Sequence, residues 1–225
     1  MPVHKITNSL KFYLLATELK DKVRSGWKIW HVNKERLESV AEHIYGTCIL
    51  AIALDSEFEL NLDLSKVIFM LVLHELEEVI IGDLTPFDTI SADEKKLMGK
   101  EAVLNVLSSL TKREEYLNLL AEFEEENTIE SKFSRMVDKL ECDIQVKLYC
   151  EGNMVDLFAD ENKYLSERAE VKEKIISSKI KSLADLFIEH DREYFFNKQM
   201  ENILNFVKNN ELLNLKSAQL TKDKG

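Results

Sequence analysis

A chain of 225 residues with 45% apolar side chains is long enough to enclose a real core in one large domain. A formal charge of -11 and an isoelectric point near 5.1 exclude nonspecific binding to nucleic acid, because neutralising phosphates needs a basic surface. Six glycines and two prolines leave few chain breakers among abundant Leu, Glu, Lys and Ala, so the composition reads as all-α rather than as a many-turned β protein.

Along the chain, Ile6, Leu10, Tyr13, Leu14 and Ala16 fall roughly on one face of a helix over 5–22, with Thr7 or Asn8 available to cap it. This opening has no uninterrupted signal-peptide core, and no later run reaches the ~18 apolar residues of a membrane span, which points to the cytoplasm and to no membrane partner. After a loop, a helix over about 35–56 carries Val40, Ile44, Cys48, Ala51 and Ile52 at helical spacing, with His43 near its beginning. The next, about 63–81, is apolar on most sides, as suits a helix in the middle of a bundle, and Gly82 ends it.

Two further helices span 91–111 and 113–126, and a longer one spans 129–151 with Phe133, Val137, Leu140, Ile144 and Leu148 along a core stripe. A weaker helix covers 160–176 and a strong one 180–208. One domain over 1–208 is therefore expected, followed by a polar, frayed tail over 209–225. Cys48, Cys142 and Cys150 lie in apolar helical surroundings without metal-finger spacing, and read as reduced core thiols.

Potential metal ligands are dispersed over three of these helices: His43, the pair His74 and Glu75, and Asp138. Two imidazoles and two carboxylates suit one divalent ion of the transition series, Mn, Co, Zn, Ni or Fe. On an amphipathic helix a lone histidine such as His43 is more often a hydrogen-bonded boundary residue than a ligand, and Asp138, Glu141 and Gln145 also read as a solvated edge. His74 is different, because it sits in the most apolar helix and is followed by Glu75, Glu77 and Glu78, acids that are costly to bury without a cation. Glu78, four residues after His74, shares its face, whereas Glu77 is expected to face solvent. His4, His31 and His190 carry no assignment.

The pattern resembles the HD-domain metal-dependent phosphohydrolases, in particular the small helical members similar to 5'-deoxyribonucleotidases. The resemblance rests on Gly26-Trp27, on Glu38 through His43 (ESVAEH), on His74-Glu75, on Glu78 through Asp83 and on Asp138 through Glu141 (DKLE), in that order, and covers about residues 8–195. It implies a single HD-domain helical bundle with a metal site between central helices and His43, His74, Glu75 and Asp138 as ligands. Glu78 would then orient or deprotonate the attacking water, with Asp83, Trp27 and Arg24 on the substrate side. Arg24 is the candidate phosphate contact because a guanidinium grips phosphate oxygens in a fork, with Lys28, Lys95 or Lys96 as substitutes.

The implied activity is hydrolysis of a (deoxy)nucleoside 5'-monophosphate, a small-molecule nucleotide, by metal-activated water. The implied assembly is a homodimer formed through helical faces. The chain departs from the family at one ligand, with Glu75 where the family has aspartate. Two alternatives follow: a catalytically weakened module that binds a nucleotide or metal, or a phosphohydrolase acting on nucleoside triphosphates or cyclic nucleotides.

Overall fold

The computed structural model describes residues 2–220; the last five residues of the expected tail, 221–225, lie outside the described residues. Among the described residues the architecture is all-α, with one isolated antiparallel bridge, Val23 to Ser39, and no strand. The chain forms two compact units, one built from the residues up to Gly26 together with Leu37–Val137, the other from Trp27–Arg36 together with Asp138 onwards.

In the first unit the helices are α1 (Val3–Ala16), α3 (Val40–Phe58), α4 (Leu64–Leu73), α5 (Glu78–Ile81), α6 (Ala92–Leu107), α7 (Arg113–Glu125) and the first half of α8 (Ile129–Glu151). The short α2 (Ser25–Ile29) occupies what the sequence presents as a loop. Short polar side chains start several of them by accepting an otherwise orphaned N–H: Asp63 takes Lys66 N–H at 3.1 Å and Ser91 takes Glu94 N–H at 3.3 Å. The start of α1 is instead set at Val3 behind Pro2, and Thr7 uses its hydroxyl inside the helix, donating to Val3 O.

Its core centres on α4, whose Val67, Met70 and Leu71 are completely buried, and extends through Leu73, Leu76, Val103, Val106, Leu107 and Leu120. The continuous helix expected over 63–81 is broken. Leu76 N–H donates to Leu73 O, Glu78 N–H to Glu75 O and Val79 N–H to Leu76 O, each three residues back, so His74–Glu77 form a tightened turn between α4 and α5. Gly82 closes α5 with φ at +76°, a conformation a side chain would strain.

The second unit holds the rest of α8, then α9 (Lys163–Ser166), α10 (Ala169–Ser177), α11 (Leu183–Asp191), α12 (Lys198–Asn209) and α13 (Leu212–Leu220). Its core contains Trp27, Trp30, Leu140, Tyr149, Leu165, Leu183, Ile188, Met200 and Leu204. The helix expected over 180–208 is interrupted by a 3-10 turn at Arg192–Tyr194 and by Phe195, whose ψ of 79° is not helical, after which Asn197 caps α12 by accepting Met200 N–H at 3.0 Å. Among the described residues, no helix is long and apolar enough to cross a membrane.

Candidate metal centre

His43 is mounted on α3, whose start is fixed by a reciprocal cap. Ser39 Oγ accepts Glu42 N–H at 3.3 Å while the Glu42 carboxylate accepts Ser39 N–H at 2.9 Å. One turn further on, His43 is fully buried.

His74 terminates α4, and its Nδ1 lies 2.7 Å from Leu71 O. A carbonyl can only accept, so in the neutral imidazole Nδ1 carries the proton and Nε2 carries the lone pair. The partner that sets this tautomer is a backbone carbonyl of the preceding turn, which no residue pattern could have announced. The Phe123 ring covers the imidazole with centroids 5.5 Å apart.

Glu75 occupies the next position, where the tightened turn aims its carboxylate at both rings. Its Oε1 is 3.4 Å from His74 Nε2 and 3.8 Å from His43 Nε2, and the two imidazole centroids are 5.5 Å apart. Asp138 follows Val137 on α8, which runs through both residues without interruption. One ligand atom from each of His43, His74, Glu75 and Asp138 lies within 4.8 Å of the others. Two donors sharing an ion at about 2.1 Å stand at most about 4.2 Å apart. The set therefore fits a single divalent ion after the side chains close by a few tenths of an ångström.

Around this set are the other groups that the resemblance singled out. Glu78, the first residue of α5, is buried and its Oε2 has no hydrogen-bond partner. Burial, then the neighbouring charges of Glu75 and Asp83, push its carboxyl up to about 10, against the opposing pull of Arg24. Glu77, expected in solvent, is half-buried instead, because the tightened turn rolls it inward; burial and then Glu75 raise its carboxyl to about 7.

Arg24 is held at the rim by the bridge to the start of α3, with Arg24 N–H donating to Glu38 O at 3.0 Å, and its Nη1 lies 3.9 Å from Glu75 Oε1. Asp83 accepts Ser25 N–H at 2.5 Å, which ties the end of α5 to the start of α2. Lys95 is engaged elsewhere, donating to Leu84 O at 2.7 Å, and Lys28 and Lys96 are exposed. In the second unit, Trp27 is 1% exposed, edge-on to Tyr149 at 5.3 Å and stacked on Phe187 at 6.0 Å, which makes it a packed pillar of α2.

Two imidazoles and two carboxylates gathered from three helices and a turn define an all-α protein with a donor set for a divalent metal ion. The sequence pattern of the HD domain family matches residues 16–183, and the chain belongs to that family. The human protein named 5'-deoxynucleotidase HDDC2 is 30% identical over 148 residues, 65% of this chain and 70% of that protein. The 5'-deoxynucleotidase hdd1 of Schizosaccharomyces pombe is 30% identical over 155 residues, 66% of this chain and 76% of that one. A conserved hypothetical protein from Pyrococcus furiosus matches in structure with a TM-score of 0.56 and 27% identity, over 75% of this chain and 97% of its own. A structure described as a predicted metal-dependent phosphohydrolase from Magnetospirillum magnetotacticum shares the fold, with a TM-score of 0.59 and 19% identity over 84% of this chain and 94% of its own.

Proposed function

We propose that this protein is a metal-dependent phosphohydrolase that releases inorganic phosphate from nucleoside 5'-monophosphates, with deoxynucleotides as the preferred class. The observation that carries the reading is the four-donor cluster with a buried carboxyl, Glu78, and a guanidinium, Arg24, beside it. The names of the human and yeast relatives support the substrate class.

His43, His74, Glu75 and Asp138 hold the ion, and their imidazole and carboxylate donors suit a transition metal such as Mn, Co, Zn, Ni or Fe. An ion held by these residues would polarise a phosphoryl oxygen and lower the pKa of water. With the charge of a bound ion opposing that of the neighbouring acids, Glu78 would be ionised and would take the proton of the attacking water at Oε2, returning it to the leaving 5' oxygen. Arg24 grips phosphate oxygens from the rim. Asp83 fixes the backbone of Ser25 and so holds Arg24 in register, and Trp27 anchors the helix that follows.

The working form is a cytoplasmic homodimer. Exposed apolar side chains on α3 (Tyr45, Ile49, Ile52) and α4 (Phe69, Val72) support self-association. On α11 and α12, by contrast, Leu183, Ile188, Met200 and Leu204 are buried within their own unit.

The decisive test is phosphate release from a panel of ribo- and deoxynucleoside 5'-monophosphates by metal-stripped protein reloaded in turn with manganese, cobalt, zinc and magnesium. Release that depends on the ion and disappears in Glu78→Ala upholds the reading. Nucleotide-induced thermal stabilisation with no release under any ion overturns it in favour of a binding module.

A further inference from the structure

His74 sits on less regular backbone than His43 or Asp138. It closes α4, and the backbone bonds that follow reach only three residues back, so no continuous helix holds it from both sides. Its Nδ1 lies 2.7 Å from Leu71 O, which fixes one edge of the imidazole. A hydrogen bond to a carbonyl constrains the tilt of a ring only loosely, and contact with a second ring constrains it further.

That contact comes from Phe123, near the end of α7. Its ring is 1% exposed, and its centroid lies 5.5 Å from that of His74 with the two planes at 58°. Phe123 is in turn held by Arg135 on α8. The guanidinium carbon stands 4.0 Å from the centre of the Phe123 ring, well inside the ~6 Å reach of a cation–π contact. Its Nη2 donates to Glu124 Oε1 at 2.8 Å, and its Nε pairs with Glu126 Oε1 at 3.3 Å. Two carboxylates on the edge of the guanidinium leave its flat face to the ring. Such pairs at the surface add little stability, but these two fix where the guanidinium stands. Part of the acidic run that ends α7 thus fastens Arg135, Arg135 covers Phe123, and Phe123 bears on His74, all within the first unit.

We propose that Phe123 and Arg135 are positioning residues for His74: the guanidinium pins the phenyl ring, and the phenyl ring sets the plane of the imidazole so that Nε2 faces the ion. This rests on the reading of His43, His74, Glu75 and Asp138 as a metal site. Neither residue offers a donor to the ion, and the sign of the effect of Arg135 separates two roles. Acting through its charge alone, Arg135 would oppose a divalent ion, and its loss would tighten binding. Acting as a clamp, its loss weakens binding.

The test is the Kd for Mn2+, measured by calorimetry on the full chain well below its melting temperature, beside 13C relaxation of the His74 imidazole in ion-free protein. Phe123→Leu is expected to weaken Mn2+ about 10-fold, as loss of a partner that orients a ligand does, and to loosen the imidazole. Arg135→Met keeps an apolar stem over the ring and drops the guanidinium. It should act in the same direction by a smaller factor, and in the Phe123→Leu background it should add nothing. Ser91→Ala, which removes the cap of α6, should lower the melting temperature and leave both the Kd and the imidazole motion unchanged, separating positioning from general loss of stability.

Mn2+ that binds as tightly or more tightly in Arg135→Met overturns the proposal, and this variant decides the matter should Phe123→Leu fail to fold. A further loss in the double variant overturns it too, as does an imidazole equally rigid in the parent and both variants. A parent chain that binds no Mn2+ overturns the metal reading and this proposal with it, whereas a parent that binds Mn2+ with a Kd that neither variant changes overturns the positioning alone.

Discussion

Arg24 Nη1 lies 3.9 Å from Glu75 Oε1, the same oxygen that stands within 4 Å of both imidazole Nε2 atoms. Glutamate replaces the aspartate of the family pattern at this position, and the extra methylene carries its carboxylate far enough to meet the guanidinium. Arg24 is thus shared between the ligand set and the phosphate that it is proposed to grip.

Glu75→Gln keeps the shape of the side chain and removes its charge, so the divalent ion should bind about 10-fold to 100-fold more weakly. Glu75→Asp shortens the stem and withdraws the carboxylate from Arg24. Ion binding is expected to persist, while kcat shifts by up to about 100-fold, since reacting geometry is sensitive to displacements of about 1 Å. Calorimetric Kd values beside steady-state kinetics for both variants check this; equal effects on Kd and on kcat would contradict it.

Glu78 is a buried acid that costs stability. Its carboxylate is buried beside Glu75 and Asp83. Raised to about 10, this carboxyl must take up a proton on folding at pH 7, and Glu78→Gln removes that cost, so the melting temperature of metal-stripped protein should rise by a few degrees, as about 1 kcal/mol implies for a chain of this size. Phosphate release should fall at least about 100-fold with the loss of the proton acceptor. Thermal denaturation and turnover measured on the same preparation decide the matter, and a variant that is both less stable and fully active refutes the assignment.

How far the site was legible varies residue by residue. The stripe from Phe133 to Leu148 located α8 at Ile129–Glu151, and His43, His74, Glu75 and Asp138 do converge. The break at His74–Glu77 was not legible, because no glycine or proline marks it: the three-residue backbone bonds are imposed by packing around Leu73 and Leu76. That break turns Glu77 inward and aims Glu75 at the histidines, so the least predictable backbone lies under the candidate ligand pair. Asp143 escaped for another reason. An acid beside a core stripe reads as a boundary residue, and only the fold reveals that both flanks of α8 are covered there.

The cap of α3 links stability to the proposed metal site. Ser39→Ala removes the acceptor for Glu42 N–H and opens the reciprocal bond, which should cost about 1 kcal/mol. Because His43 rides on the first turns of that helix, ion affinity should fall together with the melting temperature, while Ser91→Ala, the comparable cap of α6, should lower stability alone. Chemical denaturation and ion titration of the two variants side by side test the distinction.

The pH dependence of folding should carry the mark of the buried acids. Burial raises Asp191 from its ordinary 3.8 to about 6, and Asp143 moves in the same direction. The folded chain then binds protons that the unfolded chain has already released, so stability falls as pH rises between the two values. The contribution is fully present below about pH 3.8 and is lost as the pH passes through about 6, amounting to at most about 3 kcal/mol for Asp191. Lys139, Lys174, Glu193 and Asp138 face this acid and shape the same window. Melting temperatures of metal-stripped protein from pH 4 to 8 should therefore decline more steeply in the parent than in Asp191→Asn, with the two curves close near pH 4 and separating toward neutral pH, where the variant is the more stable. A parent curve that rises across this window, or an Asp191→Asn curve parallel to it, would show that the acid is ionised in the fold and held by Lys139 alone.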